Sequence, residues 1–268
     1  MNLEQKLDLL KKNIKKIDKM AIAFSGGVDS TFLLKIAHDL LGENVIAVTA
    51  KSSFYPEREF NEAVDFVNKQ GIRHIVINPK EFENKSISDN PKNRCYLCKK
   101  ELFSKILDIA KQYEISYVAE GSNVDDLKDY RPGMKALKEL NILSPLKQAG
   151  FLKNEIRELL KKMNISTWDK PSSACLASRI PYRQKITVEK LKMVELAEQY
   201  LKDIGFKQVR VRHHEDTARI EVSENERTKF IDEKIMNDVY KKLKAIGFNY
   251  VALDLKGYRT GSLNEIIE

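Results

Sequence analysis

The chain has 268 residues, 42% of them hydrophobic and 32% charged, with a formal net charge of +8. That length and apolar content predict a globular protein with an ample core, built as one large or two medium domains. No apolar run approaches the roughly 18–20 residues of a membrane helix, and the first residues lack a signal-like apolar segment, so a cytoplasmic location is expected. Much of the positive charge is lysine scattered on helices, as in Lys11-Lys12-Asn13-Ile14-Lys15-Lys16, which reads first as a solvated surface and second as attraction for a nucleotide or RNA.

Residues 3–18 place Leu3, Leu7, Leu10, Ile14 and Ile17 at helical spacing. Residues 20–24 (Met-Ala-Ile-Ala-Phe) read as a buried strand and residues 31–37 as a helix. Between them lies Ser25-Gly26-Gly27-Val28-Asp29-Ser30. Such a turn presents backbone N–H groups at the positive end of a helix, which is a seat for phosphate. It is not a Walker loop, because no Gly-Lys-Ser/Thr follows. Residues 45–50 form a second strand, Pro56 opens a helix through Val67, residues 74–77 form a third strand, residues 101–113 a helix and residues 116–120 a fourth strand. Strands alternating with helices predict an α/β fold with a doubly wound parallel sheet. Ligands bind at the carboxyl ends of such strands. Gly121, Ser122, Asn123 and Asp126 follow the fourth strand and could read an adenylate, although a plain turn fits equally well.

Beyond about residue 180 the texture changes. A helix over 187–201 with Thr187 as N-cap, strands over 206–213 and 217–222, a helix over 226–246 and a strand over 250–255 predict a smaller α+β domain. The expected division is 1–180 and 181–268. In Val209-Arg210-Val211-Arg212 the alternation sends Arg210 and Arg212 to one side of a strand. Two arginines on one face can hold a phosphate; the competing reading is an exposed sheet face paired with Glu221. Arg131 and Arg179 are further candidates for phosphate or carboxylate. Glu198 reads as a solvated helix residue or an acidic site residue, and His38 and His74 suggest no role.

Three cysteines argue against a disulfide framework. Cys95 and Cys98 form a Cys-x-x-Cys pair beside Arg94, Lys99 and Lys100; Cys175 stands alone. Four readings stay open: unrelated buried cysteines, a zinc site completed by His213 or His214, a redox dithiol, and an iron–sulfur cluster held by all three.

The Ser-Gly-Gly-x-Asp-Ser pattern resembles the pyrophosphate loop of the PP-loop ATP pyrophosphatases, which cut ATP to AMP and pyrophosphate. Three longer segments narrow the resemblance: residues 119–133, beginning Ala119-Glu120-Gly121-Ser122-Asn123; Leu143-Ser144-Pro145-Leu146; and Trp168-Asp169-Lys170-Pro171 with Ala174-Cys175-Leu176-Ala177-Ser178-Arg179-Ile180-Pro181. Together they resemble the LarE family of ATP-dependent sulfur transferases, over nearly the whole chain. The resemblance implies a pyridinium-3,5-dicarboxylate mononucleotide substrate and conversion of its carboxylates to thiocarboxylates for the nickel-pincer cofactor of lactate racemase. It implies ATP and Mg²⁺ as cofactors. Ser25, Gly26, Gly27, Asp29 and Ser30 would hold pyrophosphate, Arg210 and Arg212 the substrate phosphate, and Cys175, Asp29 and Arg179 would be catalytic. Members with a single cysteine matching Cys175 give up its sulfur. Members that also carry the Cys-x-x-Cys pair are thought to hold a [4Fe-4S] cluster, here on Cys95, Cys98 and Cys175. A sulfide donor, other nickel-pincer maturation proteins and a homo-oligomer are the implied partners; no membrane and no nucleic acid are expected. Competing functions are tRNA 2-thiolation, an amidating enzyme of the NAD or GMP synthetase kind, and a nucleotide-binding protein without turnover.

Overall fold

The computed structural model of the protein describes residues 1–79, 84–128, 132–171, 174–259 and 261–266. The helices are α1 (Leu3–Ile14), α2 (Val28–Leu41), α3 (Glu57–Gln70), α4 (Lys85–Ser88), α5 (Arg94–Gln112), α6 (Gly133–Glu139), α7 (Pro145–Gln148), α8 (Lys153–Lys162), α9 (Val188–Asp203) and α10 (Glu233–Ile246). The strands are β1 (Met20–Ala23), β2 (Val45–Ala50), β3 (Arg73–Ile77), β4 (Tyr117–Ala119), β5 (Val209–His214), β6 (Thr217–Val222) and β7 (Tyr250–Leu253). Two compact units result. The first holds Met1–Ser52, Glu57–Glu81 and Asn93–Ser173; the second holds Ser53–Pro56, Phe82–Lys92 and Ala174–Glu268.

In the first unit four strands lie in the order β3-β2-β1-β4, all parallel. The period of two along β1 sorts its side chains between two cores. Met20 and Ile22 pack with Phe32, Leu33, Ile156 and Leu160, whereas Ala21 packs with Phe103, Ile106 and Leu137. Helices therefore cover both faces, which is the expected doubly wound α/β arrangement. The chain goes to one side of β1 to make β2 and β3, then to the other to make β4. Such a reversal opens a crevice at the carboxyl ends of β1 and β4. The 25–30 loop leaves β1 there, and the 120–126 loop leaves β4 beside it.

Two local outcomes differ from the sequence reading. Helix α5 begins at Arg94 rather than near residue 101, so the Cys-x-x-Cys pair lies in its first turn. The apolar period that marks the helix starts only with Phe103. Its first turn is instead held by burial of Arg94, 3% exposed, and by α6, where a Cβ at Gly133 would come within 3.2 Å of the Cys95 carbonyl. The long helix expected over 226–246 is a 3-10 segment, Glu224–Ile231, followed by α10. Asp232 causes the break: its carboxylate accepts from Lys234 N at 2.8 Å and Ile235 N at 3.2 Å, which caps a new helix.

The second unit contains a three-stranded sheet ordered β5-β6-β7, antiparallel then parallel. Val209, Val211, Ile220 and Val222 meet Leu201, Val239, Leu243 and Phe248 in its core. Thr187 caps α9 as expected, accepting from Lys190 N at 3.3 Å. Among the described residues no helix is long and apolar enough to cross a membrane.

Candidate active site

The loop after β1 is shaped by close backbone approach. Gly26 has φ +67°, and a Cβ there would sit 2.8 Å from the Cβ of Ala63. Gly27 caps α2 without a side-chain hydrogen bond, so the first-turn amides form an anion seat at the positive helix end. Ser25 Oγ and Ser30 Oγ lie 3.1 Å apart, and Ser30 Oγ donates to Gly27 O at 3.2 Å. Just before the loop, Thr49 Oγ1 donates to Phe24 O at 2.8 Å, and His74 Nε2 donates to Thr49 Oγ1 at 2.8 Å. His74 thus fixes the strand end that launches the loop. Burial holds its imidazole below the ordinary value.

The loop after β4 closes on the first. A Cβ at Gly121 would lie 2.8 Å from Ser30 N, so only glycine permits this approach. Asn123 Nδ2 donates to Asp29 Oδ1 at 3.2 Å, and Asp126 Oδ2 accepts from Asn123 N at 2.9 Å. Glu120, 7% exposed, accepts from Ser122 N, Ser122 Oγ and Ser144 Oγ at 3.0, 2.6 and 2.5 Å. The structure thus gathers Ser25, Gly26, Gly27, Asp29 and Ser30 with Gly121, Ser122, Asn123 and Asp126. It adds two lysines to which the sequence reading gave no role: Lys153, outside every quoted segment, and Lys170, within Trp168-Asp169-Lys170-Pro171. Lys153 Nζ pairs with Asp29 Oδ2, and Lys170 Nζ meets Gly26 O at 3.1 Å and Glu62 Oε2 at 2.9 Å. Burial opposes charge on Glu62, yet Lys170 and Arg58 hold its carboxyl below the usual range.

Cys95 is exposed and Cys98 half-buried. Their spacing in the first turn of α5 puts both thiols on one helix face. Among the described residues, no group of three or more His, Cys, Asp or Glu is gathered to hold a metal ion.

Cys175 belongs to the second unit and precedes a 3-10 turn, Leu176–Arg179. Buried charges brace that turn. Arg179, 1% exposed, donates from Nη1 to Ala174 O at 2.6 Å, Cys175 O at 3.0 Å and Ser178 Oγ at 3.1 Å. Its Nε and Nη2 meet both oxygens of Glu198 at 2.8 and 2.9 Å. Glu198, 2% exposed, also accepts from Val211 N at 3.0 Å. Burial opposes its charge, but Arg179 prevails and keeps the carboxyl below the usual range. Glu198 is therefore neither solvated nor incidental. Arg212 Nη1 donates to Ser178 O at 2.7 Å; its Nε and Nη2 meet Glu221 at 2.9 and 2.8 Å, and Nη2 also meets Ser262 Oγ at 2.7 Å. Arg210 stacks over Tyr258 at 5.4 Å and is pressed below the usual arginine value by burial and the Arg179 cation. The pairing of Arg212 with Glu221 occurs, but on a buried face: Arg210, Arg212 and Glu221 are 7%, 6% and 0% exposed. His213 packs on Phe248 at 5.3 Å, and burial lowers the pKa of both His213 and His214. Arg131 lies outside the described residues.

A Ser-Gly-Gly-x-Asp-Ser loop at the switch point of a parallel sheet defines a PP-loop protein of the ATP pyrophosphatase class. Consistently, a family model described as NAD synthase matches residues 2–117. The chain is 41% identical over 265 residues to an uncharacterised protein of Synechocystis sp., covering 99% of each. It is 37% identical over 256 residues to the pyridinium-3,5-bisthiocarboxylic acid mononucleotide synthase of Lactiplantibacillus plantarum, covering 95% of this chain and 92% of that one. A chain of the glutamine-hydrolysing GMP synthase of Saccharolobus solfataricus is 28% identical over 218 residues, with 71% of this chain and 58% of that one covered. The chain belongs to the LarE family, and it is an ATP-dependent sulfurtransferase on the PP-loop fold.

Proposed function

We propose that this enzyme adenylates the carboxylates of pyridinium-3,5-biscarboxylic acid mononucleotide and exchanges an oxygen of each for sulfur, supplying the nickel-pincer nucleotide of lactate racemase. The observation that carries the reading is the match to the L. plantarum synthase along 95% of the chain. A carboxylate is a poor electrophile because its oxygen is a poor leaving group. In the first half-reaction a carboxylate oxygen attacks the α-phosphorus of ATP, and the α–β P–O bond breaks with its electron pair going to pyrophosphate. A sulfur nucleophile then attacks the acyl carbon, and AMP leaves with the oxygen. The 25–30 loop receives the phosphates, and Asp29 would hold Mg²⁺, whose preference is for oxygen ligands and which supplies charge neutralisation.

In the second unit Arg179, Arg210 and Arg212 share Glu198 and Glu221 within one buried network. That excess of positive charge favours an anion, and the substrate phosphate is assigned to Arg210 with Arg212 behind it. Arg179 acts on the Cys175 turn rather than on substrate. We assign the sulfur to a [4Fe-4S] cluster on Cys95, Cys98 and Cys175. The donor set suits it: three thiolates leave one iron open to an external sulfide, and two of the thiols share the positive end of α5.

One contact favours a second route, sacrifice of Cys175. Arg179 Nη1 donates to the carbonyl of Cys175 itself at 3.0 Å. Once the Cys175 sulfur has displaced AMP and is bonded to the acyl carbon, a cation there stabilises the enolate formed as a base takes the Cα proton, and the Cβ–S bond breaks with its electron pair going to the thiocarboxylate, leaving dehydroalanine. A sulfide donor, other maturation proteins, a homo-oligomer and a cytoplasmic setting belong to the same proposal. Pyrophosphate release that requires the dicarboxylate nucleotide supports it; release that ignores that nucleotide refutes it. Loss of the mass of H₂S from Cys175 after anaerobic turnover identifies the sacrificial route. Iron and sulfide in the purified protein, lost in Cys95→Ser, identify the cluster route.

A further inference from the structure

We propose that Lys153 and Lys170 form a two-lysine seat for the departing pyrophosphate, one at each end of the 25–30 loop; the proposal rests on the adenylation reading above. The loop sequence has no lysine of its own, unlike the Walker loop, whose lysine reaches the terminal phosphates. Backbone amides and a helix end carry only partial charge. Pyrophosphate leaves as a polyanion, and the charge that develops on its bridging oxygen needs full cations nearby.

Both lysines lie in the first unit with the loop. Lys153 opens α8. Its backbone N–H donates to Asp125 Oδ2 at 2.9 Å, and its ammonium pairs with Asp29 Oδ2 while its side chain stays 31% exposed. Lys170 is 15% exposed and bonds the loop backbone directly, at Gly26 O, as well as Glu62. A lysine has three N–H donors; those contacts use two on Lys170 and leave one for a phosphate oxygen among the described residues. One helix sets both positions. One turn after Lys153, Arg157 donates to Trp168 O and, at 2.6 Å, to Lys170 O. Helix α8 therefore carries Lys153 itself and pins the segment that carries Lys170.

In the step, the substrate carboxylate forms the new P–O bond, the α–β bond breaks, and the electron pair stays on pyrophosphate. Neither lysine gives up a proton. Both strengthen their hold as the leaving group gains charge, so their effect falls on pyrophosphate and not on AMP.

The test is calorimetric titration of inorganic pyrophosphate and, separately, AMP into the full chain and into Lys153→Met, Lys170→Met, Lys153→Arg and Lys35→Met. Lys35 pairs with Asp39 on α2 at 2.5 Å and serves as the charge control. A charge-assisted hydrogen bond lost from each lysine predicts about tenfold weaker pyrophosphate binding in each Met variant, with AMP affinity within about twofold. Lys153→Arg keeps most of the affinity, and Lys35→Met binds as the parent does. Met variants that hold pyrophosphate as tightly as the parent overturn the proposal. So does an equal loss of AMP and pyrophosphate binding, which would make the lysines shapers of the loop. A parent chain that binds neither ATP nor pyrophosphate overturns the adenylation reading, and the proposal with it.

Discussion

Glu198→Gln is the sharpest perturbation of the second unit. The substitution keeps the shape and removes the charge that balances Arg179. In the wild type Glu198 accepts from Arg179 Nε at 2.8 Å, Arg179 Nη2 at 2.9 Å and Val211 N at 3.0 Å. Glutamine keeps one acceptor oxygen and turns an amide NH₂ toward a guanidinium. Breaking one partner of a buried pair costs about 3–5 kcal/mol. Arg179 retains its bonds to Ala174 O, Cys175 O and Ser178 Oγ, so the lower end, about 3 kcal/mol, is expected. At about 2–4 °C per kcal/mol for a chain of this size, the melting midpoint falls by about 6–12 °C. The sign with pH follows from the depressed carboxyl, whose ordinary value is 4.5. Its stabilisation is present above that value and is lost as pH falls through the lower folded value. The gap between wild type and variant is therefore constant from neutral pH down to about 5 and closes below about 4.5. Calorimetry measures the midpoints, and mapped alkylation by iodoacetamide measures the turn. Cys175 should react several-fold faster in the variant, because Arg179 keeps its bonds to Ala174 O and Cys175 O but loses the carboxylate that anchors it, so the turn opens more often. A midpoint and a Cys175 rate equal to wild type would refute the idea that this pair braces the cysteine.

Gly121→Ala places a Cβ 2.8 Å from Ser30 N, where backbone rather than a flexible side chain must yield; ATP affinity should fall at least about tenfold by calorimetry, and unchanged affinity would contradict the contact between the two loops. Gly26→Ala forces a left-handed φ on alanine and meets Ala63, so urea denaturation should show a loss of at least about 1–2 kcal/mol. His74, His213 and His214 are all held below the ordinary 6.5 by burial. As pH falls below 6.5 the unfolded chain takes up these protons first, so stability is full above 6.5 and declines beneath it. The urea midpoint at pH 5.5 should therefore lie below that at pH 7.5, whereas equal midpoints would count against the buried neutral rings.

The parallel sheet was legible because its central strands are short apolar runs punctuated by turns. Met20 to Phe24 and Val45 to Ala50 need no context to be read. The 25–30 loop was legible for the same reason, since its chemistry is local. The two lysines were not, because each acts through a contact with a distant segment: Lys153 with Asp29, Lys170 with Gly26 and Glu62. Helix α8 hid because only Ile156 and Leu160 are buried on it, and all the other positions but Asn154 and Leu159 are charged. The alternation of Arg210 and Arg212 was visible, yet alternation conventionally marks a solvated face. Here the arginine face is covered by Tyr258, Ser262 and the Ser178 turn, so the charges are internal and paired. The burial of Glu198 was hidden for the same reason, since its partner Arg179 comes from a 3-10 turn that no periodicity announces.

The central claim is that ATP cleavage at the loop replaces carboxylate oxygen with sulfur. The most direct test is an anaerobic incubation of the full chain with ATP, Mg²⁺, a sulfide source and pyridinium-3,5-biscarboxylic acid mononucleotide, with the nucleotide products read by mass spectrometry. Thiocarboxylate product formed in step with AMP is the predicted result. AMP formed with the nucleotide left unsulfurated, or converted to an amide or an ester, would contradict it.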